Sequence, residues 1–217
     1  DERAALALVG TEVGAAGDDC AVIGETVITT DMLHESTDFP AGTTRYTAGW
    51  RAVGASLSDV AAMGGDATAA VAVYAAPRFL KTELRDFLRG AREVCELVDA
   101  AYVVGDLDDH EEFTVATTAL GQTANPVYRG GATPGETVCV TGTLGRSAAA
   151  LRLFNDDPER ANALFRFEPR VAGGQAVAPY ATAMLESSDG LARSLHHLAE
   201  ASGCGLVVES AQLPVHD

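Results

Sequence analysis

Residues 51–65, which read R-A-V-G-A-S-L-S-D-V-A-A-M-G-G, constrain the fold of this chain most. The apolar residues recur at helical spacing and predict one buried stripe, formed by Trp50, Val53, Leu57 and Val60. Gly64 and Gly65 end the helix, and Thr43 or Thr44 is placed to cap its start. Asp59 then falls near the C-terminal end, where the helix dipole disfavours a carboxylate. A carboxylate in that position predicts a bound cation.

Four other segments place acids at turns or strand ends. They read G-D-D at 17–19, T-T-D at 29–31, G-D at 105–106 and S-S-D-G at 187–190. Aspartate is common in turns for local reasons alone, so Asp18 and Asp19 by themselves indicate little. Two adjacent acids followed one strand later by T-T-D favour metal binding over turn formation. Because Mg²⁺ takes carboxylate oxygens together with water and phosphate, the acids predict a site for magnesium and a nucleotide.

The charge of the chain is strongly one-sided. Its 217 residues include 31 acids and 15 Lys or Arg, and Lys81 is the only lysine. At molar salt the Debye length falls to about 3 Å, so a densely acidic surface no longer repels itself. The composition therefore predicts adaptation to high salt, and a net charge of −16 argues against binding a nucleic-acid backbone.

The cysteines and the hydropathy predict a cytoplasmic protein. Four cysteines are far apart and form no C-x-x-C pair, which is typical of free thiols in a reducing compartment. No apolar run reaches the roughly 20 residues of a membrane span, and no signal-peptide pattern is present. We therefore expect no membrane partner.

The order of predicted elements indicates a mixed α+β and α/β protein of two domains. Turn residues at 121–126 separate an N-terminal sheet domain with helices, 1–124, from a C-terminal α/β domain, 125–217. The first has strands at 26–30, 68–74, 102–105 and 113–120, and a long amphipathic helix at 80–98 that covers a sheet. The second has strands at 137–140 and 206–209 and helices near 146–154, 158–165, 175–185 and 191–201.

Arg129 is the candidate phosphate ligand of the second half. It lies in a turn-rich segment, and a guanidinium beside the phosphates would complete a clamp formed with the metal-bound acids. The glycine-rich turn at 141–145 is weak evidence for phosphate binding, because many α/β proteins have such turns for packing. The absence of G-x-x-x-x-G-K-[ST] excludes a P-loop enzyme.

Taken together, eight segments resemble the thiamine-monophosphate kinase family, in order and over nearly the whole chain. They are G-D-D-C-A-V-I, T-T-D-M-L, A-S-L-S-D-V-A-A-M-G-G, V-G-D, R-G-G-A-T-P-G-E, V-T-G-T-L-G-R-S, E-P-R-V and S-S-D-G-L. The resemblance implies ATP-dependent phosphorylation of thiamine monophosphate to thiamine diphosphate, the last step in making that cofactor. It also implies the two-domain fold of aminoimidazole ribonucleotide synthetase and selenophosphate synthetase, with N-terminal domains paired in a homodimer.

The resemblance also implies roles for individual residues. The magnesium ligands, some through water, are Asp19, Thr29, Thr30, Asp31, Asp59, Asp106 and Asp189. The residues that contact ATP are Gly105, Asp106, Arg129 and Ser188. In such kinases the substrate phosphate attacks the γ-phosphate directly, so no side-chain nucleophile is needed. The catalytic apparatus is then the set Asp31, Asp59, Asp106 and Asp189.

Three departures from the family pattern are present. Glu186 stands where the family has a metal-binding aspartate, so a longer carboxylate must reach the metal or act through water. Asp38 precedes Phe39 where the family has a substrate-contacting histidine. The family's G-G-E-D-Y-E segment and the aromatic residue over the thiamine ring would follow Leu213-Pro214, outside this sequence.

Two other functions are compatible with these residues. A selenophosphate synthetase-like relative would use ATP on another acceptor, but it would carry a reactive cysteine with a lysine close by, and Cys20 has no such lysine. A noncatalytic acidic module would only carry hydrated cations. Random acidic enrichment would scatter the aspartates, whereas these acids lie beside glycine and threonine at strand ends.

Overall fold

The computed structural model describes residues 2–13 and 17–215, and its first half is built on one mixed sheet. The strands β1 to β5 span Ala21–Ile23, Thr26–His34, Asp66–Ala76, Ala101–Asp109 and Thr114–Gln122. Their order across the sheet is β1-β2-β5-β3-β4. Only β3 and β4 run parallel, and the other neighbours are antiparallel. The sheet thus has β5 at its centre and β4 at one edge.

Eight α-helices complete the described part of the chain. The helices α1 to α4 span Glu2–Glu12, Glu35–Asp38, Arg45–Ala62 and Lys81–Glu96. The helices α5 to α8 span Arg146–Leu153, Pro158–Phe165, Val171–Val177 and Leu191–Ser202. Short 3₁₀ turns lie at Ala178–Tyr180 and Ser210–Gln212. In these residues we find no helix with the length and apolar character needed to cross a bilayer.

The predicted organising helix is α3, and its limits confirm the capping argument. The side chain of Thr44 accepts a hydrogen bond from the backbone N–H of Thr47, which caps the first turn. The helix ends at Ala62, and Gly64 follows with φ of 68°, a left-handed conformation that favours glycine. Most of its apolar stripe is completely buried against the sheet, namely Val53, Leu57 and Val60.

The two faces of the sheet differ in what covers them. Along β2, Val27 and Thr29 point toward α3 and are buried, whereas Met32 points the other way and is 60% exposed. The same alternation holds on β3, where Tyr74 is buried and Val73 is exposed. We call the side of the sheet that carries Met32 and Val73 the outer face.

The predicted long amphipathic helix is α4, but it packs on α3 as well as on the sheet edge at β4. The two helices approach closely at a pair of glycines. A Cβ atom at Gly49 would lie within 3.0 Å of the backbone oxygen of Phe87, and one at Gly90 within 3.0 Å of the oxygen of Tyr46. The helix α3 is therefore held between the sheet on one side and α4 on the other.

Two predicted strands of the second half are wrong. Residues 137–140 and 206–209 lie outside the sheet, and the second half as described contains helices and one isolated bridge, between Leu144 and Val215. A β-prone segment becomes a strand only when its backbone pairs with a neighbour. Val138 and Val207 are exposed by 43% and 88%, so no such neighbour covers them. The predicted helices at 146–154, 158–165 and 191–201 are confirmed as α5, α6 and α8. The predicted helix at 175–185 is wrong in its limits, because α7 spans Val171–Val177 and only the 3₁₀ turn at Ala178–Tyr180 follows it.

Two predicted strands of the first half are longer than expected. Asp31 lies inside β2, and Asp106 lies inside β4, where the sequence pattern placed them at strand ends. The ladder between β2 and β5 continues from Thr26 to His34, so polar side chains do not terminate it. Once a neighbouring strand supplies partners, backbone pairing outweighs the weak β-propensity of aspartate.

Candidate functional site

Three carboxylates from distant parts of the sequence meet at one end of α3. Asp19 lies in the turn before β1, Asp59 in the last turn of α3, and Glu186 in the loop before α8. One oxygen of each lies within 4.8 Å of the others. Like charges this close repel each other unless a cation or a proton neutralises them. We call Asp19, Asp59 and Glu186 the acid cluster.

Arg129 is bound to the acids at the edge of the cluster. Its Nη2 donates to Oδ1 of Asp19 at 2.8 Å, and its backbone N–H donates to Oδ1 of Asp18 at 3.1 Å. Oδ2 of Asp19 and Nε of Arg129 are buried with no hydrogen-bond partner among the described residues. A buried carboxylate oxygen without a partner is costly, so its position next to two further carboxylates favours a bound cation.

Two hydroxyl groups connect β2 to α3 beside the cluster. Thr29 of β2 donates its hydroxyl hydrogen to Oδ2 of Asp59 at 2.6 Å. Ser56 of α3 donates to Oδ2 of Asp31 at 2.6 Å. Each element thus donates a hydroxyl to the carboxylate of the other, which fixes Asp31 and Asp59 relative to one another.

Burial and mutual repulsion make these acids weaker than free aspartic acid. Burial raises the pKa of Asp59 to about 8, and the charge of Asp31 adds to the rise. Burial raises the pKa of Asp19 to about 7, although the charge of Arg129 opposes the shift. The pKa values of Asp31 and Glu186 are also raised, again mainly by burial. Without a cation, folding therefore shifts each of these groups toward its protonated form.

This electrostatic arrangement predicts how the stability of the metal-free protein depends on pH. Folded-state pKa values above the ordinary value of 3.8 mean that ionisation opposes folding as pH rises from about 4 through about 8. We expect Asp59→Asn to remove part of this loss. Urea unfolding in EDTA at pH 5 and pH 8 measures it: the variant should gain stability relative to wild type at pH 8 and less at pH 5. An equal difference at both pH values would contradict the raised pKa of Asp59.

The donor set fits a hard divalent cation. Magnesium and calcium prefer carboxylate oxygens, and the cluster offers three carboxylates with Asp31 beside them. Asp19, Asp59 and Glu186 would hold the ion. The longer side chain of Glu186 reaches this position, so the departure from the family's aspartate retains a carboxylate in the cluster.

Three of the predicted site residues lie away from the cluster. Asp106 pairs in register with Val73 of the outer face, and its side chain is exposed. Gly105 lies on the edge strand, three strands away from β2. The side chain of Thr30 also belongs to the outer face, where its hydroxyl donates to the backbone oxygen of Thr117. Alternation along the strands therefore separates Thr30 and Asp106 from Thr29 and Asp31.

Three further predicted residues form hydrogen bonds or ion pairs with residues close by in the sequence. The hydroxyl and backbone N–H of Ser188 both donate to the carboxylate of Glu186. Asp189 forms an exposed ion pair with Arg193 at 3.1 Å. Asp38 accepts the backbone N–H of His34 at 2.7 Å, so its carboxylate organises the turn that follows β2.

Sequence reasoning missed two residues that shape the site, Ser56 and Thr117, which form a buried pair next to Asp31. It also gave no partner for Asp18, which accepts the backbone N–H of Arg129. Ser56 precedes Asp59 by three residues, so helical spacing gave a signal that both face the same way. No local pattern marks Thr117 or the contact between Asp18 and Arg129, because the residues concerned are far apart in the sequence.

Comparison with known proteins identifies the family. A family model described as AIR synthase related protein, N-terminal domain, matches residues 17–123. Over its whole length the chain is 64% identical to the thiamine-monophosphate kinase of Halobacterium salinarum, and it covers 76% of that protein. The chain belongs to the thiamine-monophosphate kinase family. Another member, from Methanospirillum hungatei, is 39% identical over 99% of this chain and 77% of its own length.

Solved structures confirm the predicted fold type. The structure of AaThiL complexed with AMPPCP and TMP superposes with a TM-score of 0.86 at 29% identity. The match covers 93% of this chain and 70% of that one. The mixed sheet with its helices is therefore the fold of the thiamine-monophosphate kinase family, as the sequence segments indicated.

Proposed function

We propose that this chain catalyses ATP-dependent phosphorylation of thiamine monophosphate to thiamine diphosphate, assisted by magnesium. The observation that carries the proposal is the acid cluster, in which one oxygen each of Asp19, Asp59 and Glu186 lies within 4.8 Å of the others. The family relationship supplies the reaction: relatives are named thiamine-monophosphate kinases, and AaThiL is described as complexed with AMPPCP and TMP.

The residues of this chain act in the proposed reaction by holding and orienting charge. A bound magnesium ion supplies neutralisation of the phosphate oxygens. Asp19, Asp59 and Glu186 would hold it. Asp31, whose carboxylate accepts the hydroxyl hydrogen of Ser56 in α3, adds a further negative charge beside them. The substrate's own phosphate is the nucleophile, so the chain needs no general base. The chain therefore catalyses the reaction by placing the phosphate of thiamine monophosphate in line with the γ-phosphate of ATP.

The remaining residue assignments are part of this proposal. Ser188, bonded to Glu186, lies close enough to the cluster to contact ATP when it binds. Asp189 would contribute to a further magnesium once released from its exposed pair with Arg193. Asp38 belongs to the substrate side, in the segment after β2. We further propose that 1–124 and 125–217 are separate domains, with this site between the helix end and the loop before α8.

A homodimer would give the outer face its function. The exposed apolar side chains of the outer face include Ile23, Met32 and Val73. The side chains of Asp106 and Thr30 belong to the outer face, and Gly105 precedes Asp106 on β4, so pairing of two copies would bring them to a shared nucleotide-binding surface. Sedimentation of the purified protein in molar KCl tests this pairing, and a monomer at micromolar concentration would refute it.

A cytoplasmic location belongs to the same proposal. The reaction needs ATP, and all four cysteines are free thiols. Cys20 and Cys95 are buried, and burial raises the pKa of both, so these thiols are held in their unreactive protonated form. A reducing compartment with ATP suits both features.

We also propose adaptation to high salt, which leads to a direct prediction. With 31 acids, one lysine and a net charge of −16, self-repulsion should weaken as the Debye length falls from about 10 Å at 0.1 M salt to about 3 Å at 1 M. Melting temperature and activity should therefore rise with KCl across this range. Thermal melts that stay flat or fall would contradict the proposal.

Arg129 gives a second prediction within the site. Its guanidinium now binds Asp19, and a nucleotide phosphate arriving at the cluster would offer it a competing partner. We expect Arg129→Ala to raise the ATP concentration for half-maximal rate by about tenfold or more, the scale of one charged hydrogen bond. The fold should persist, because the bond to Asp18 comes from the backbone N–H, which alanine keeps.

Two further variants make the Arg129 measurement specific. Arg129→Lys should restore ATP binding only in part, because an ammonium cannot reproduce bidentate contacts. Arg92→Ala removes an exposed guanidinium that pairs with Glu96 on α4, and it should leave ATP kinetics unchanged. Wild-type ATP kinetics in Arg129→Ala would remove this arginine from the site.

The proposed reaction is tested by incubating the protein with magnesium-ATP and thiamine monophosphate in molar KCl. We expect equal amounts of ADP and thiamine diphosphate. ADP and inorganic phosphate formed without thiamine diphosphate would show that the phosphoryl group passes to water, and would favour a relative whose acceptor is a different compound. If the protein binds the cation but does not consume ATP, its function would instead be that of the noncatalytic acidic module.

A further inference from the structure

Behind Asp31 lies a buried chain of two hydroxyl groups. Ser56 is completely buried and Thr117 is 1% exposed. Oγ of Ser56 lies 2.6 Å from Oδ2 of Asp31 and 2.8 Å from Oγ1 of Thr117. Thr117 belongs to β5, Ser56 to α3 and Asp31 to β2, so the chain joins three elements.

The number of available hydrogens fixes the direction of this chain. Each hydroxyl carries one hydrogen, and Asp31 can only accept once a cation beside it holds its carboxylate ionised. The hydrogen of Ser56 is therefore used by Asp31, and only Thr117 can supply the hydrogen for the contact between the two hydroxyls. The backbone oxygen of Ala52, 3.1 Å from Oγ1 of Thr117, is the longer competing acceptor. Hydrogen bonds aligned in this way polarise and strengthen each other.

The hydroxyl groups of Ser56 and Thr117 complete a pair of reciprocal hydrogen bonds between β2 and α3, which we call the brace. Thr29 and Asp31 lie two residues apart on the side of β2 that faces α3. Ser56 and Asp59 lie three residues apart on α3. Thr29 donates to Asp59, and Ser56 donates to Asp31. The distance between the two carboxylates therefore depends on both donated bonds, and Thr117 holds the hydroxyl of Ser56 in the rotamer that serves Asp31.

We propose that Thr117 and Ser56 are positioning residues that hold the Asp31 carboxylate in place relative to Asp59 for cation binding. The inference rests on the proposed function, in which these acids hold magnesium against phosphate. Thr117 contacts neither metal nor substrate in this role and acts only through Ser56. Residues that orient a metal-binding group in this way typically affect metal affinity or activity about 10- to 100-fold.

The test uses substitutions at Thr117 that separate the effect of the hydroxyl group from the effect of side-chain packing. Thr117→Val keeps the shape and removes the donor, whereas Thr117→Ser keeps the donor and loses a methyl group. Thr68→Val is the matched control, because Thr68 is an exposed threonine of the same sheet whose hydroxyl donates to the backbone oxygen of Leu120. Two quantities are measured in molar KCl: the MgCl₂ concentration for half-maximal rate, and the rise in melting temperature between EDTA and MgCl₂.

We expect Thr117→Val to raise the half-maximal MgCl₂ concentration about tenfold and to reduce the magnesium-dependent rise in melting temperature. Thr117→Ser and Thr68→Val should both respond as wild type does. A Thr117→Val protein with the wild-type magnesium response would overturn the positioning role, and so would a Thr117→Ser protein as impaired as the valine variant. A wild-type protein that melts identically in EDTA and MgCl₂ would instead overturn the magnesium site itself, and the positioning role with it.

Discussion

Replacing Asp59 by asparagine is expected to lower turnover about 100- to 1,000-fold, the scale seen when one electrostatic stabiliser of a transition state is removed. Asparagine has nearly the same shape, and its carbonyl oxygen can still accept the hydrogen bond from Thr29. What it lacks is the charge that holds a cation between Asp19 and Glu186. The loss should therefore appear in the rate rather than in the fold.

The metal-free Asp59→Asn protein should melt no lower than wild type. Asp59 lies in the last turn of α3, at the negative end of the helix dipole, and its ionised form is repelled by Asp19 and Glu186. Removing the charge relieves this repulsion, whereas adding MgCl₂ should stabilise the wild type and have less effect on the variant. Melts with EDTA and with MgCl₂, beside a rate assay, measure both effects.

Asp99→Asn provides the control for Asp59→Asn. Asp99 is an exposed residue with φ of 58°, a left-handed conformation that asparagine tolerates well, and no predicted function falls on it. This substitution also removes one negative charge, so it separates the local effect from the effect of net charge. Near-normal turnover in Asp59→Asn would show that Asp59 is only a helix-end residue.

The sequence predicted acids at the centre of the site because these residues can be recognised from their immediate neighbours in the sequence. Asp59 is visible as a charge at a helix end that the helix dipole disfavours, and Asp19 as one of two adjacent acids that T-T-D follows one strand later. Glu186 entered only through the family resemblance, and its longer side chain nevertheless reaches the other acids. The burial that raises the pKa values of these acids depends on packing between distant segments, so no short pattern could reveal it.

The alternation of side chains along a strand explains why other predicted ligands lie away from the acid cluster. Thr29, Thr30 and Asp31 are consecutive, but neighbouring residues of a strand point to opposite faces. The motif alone gives no register, and the register decides that Thr29 meets Asp59 while Thr30 faces outward. Asp106 is subject to the same rule on β4, where its row of the sheet contains Val73 and Met32 of the outer face.

The crossing of α3 and α4 was invisible in the sequence and gives a second large expected effect. Gly90→Ala should destabilise the protein by about 3 kcal/mol or more, at or above the upper end of ordinary overpacking. The added methyl would meet the backbone oxygen of Tyr46 within 3.0 Å, and backbone atoms of Trp50 and Tyr46 leave no flexible side chain to move aside. The helices would have to separate.

The opposite result is expected at Gly10, which supplies the control for Gly90. Gly10 lies in α1, and a Cβ there meets nothing within 4 Å. Gly10→Ala should therefore be neutral or stabilising by up to about 1 kcal/mol, the difference in helix propensity between the two residues. Urea unfolding of both variants in molar KCl compares a helical glycine at a crossing with one in open space.

Function should follow stability in the Gly90 variant because α4 supports the helix that carries Asp59. If α4 moves away from α3, α3 loses its support on the side opposite the sheet, and the brace between β2 and α3 loses its rigid support. Any folded Gly90→Ala protein should thus need more MgCl₂ for half-maximal rate as well as less urea to unfold. A Gly90→Ala protein as stable as wild type would show that the two helices are not held at this close approach in solution.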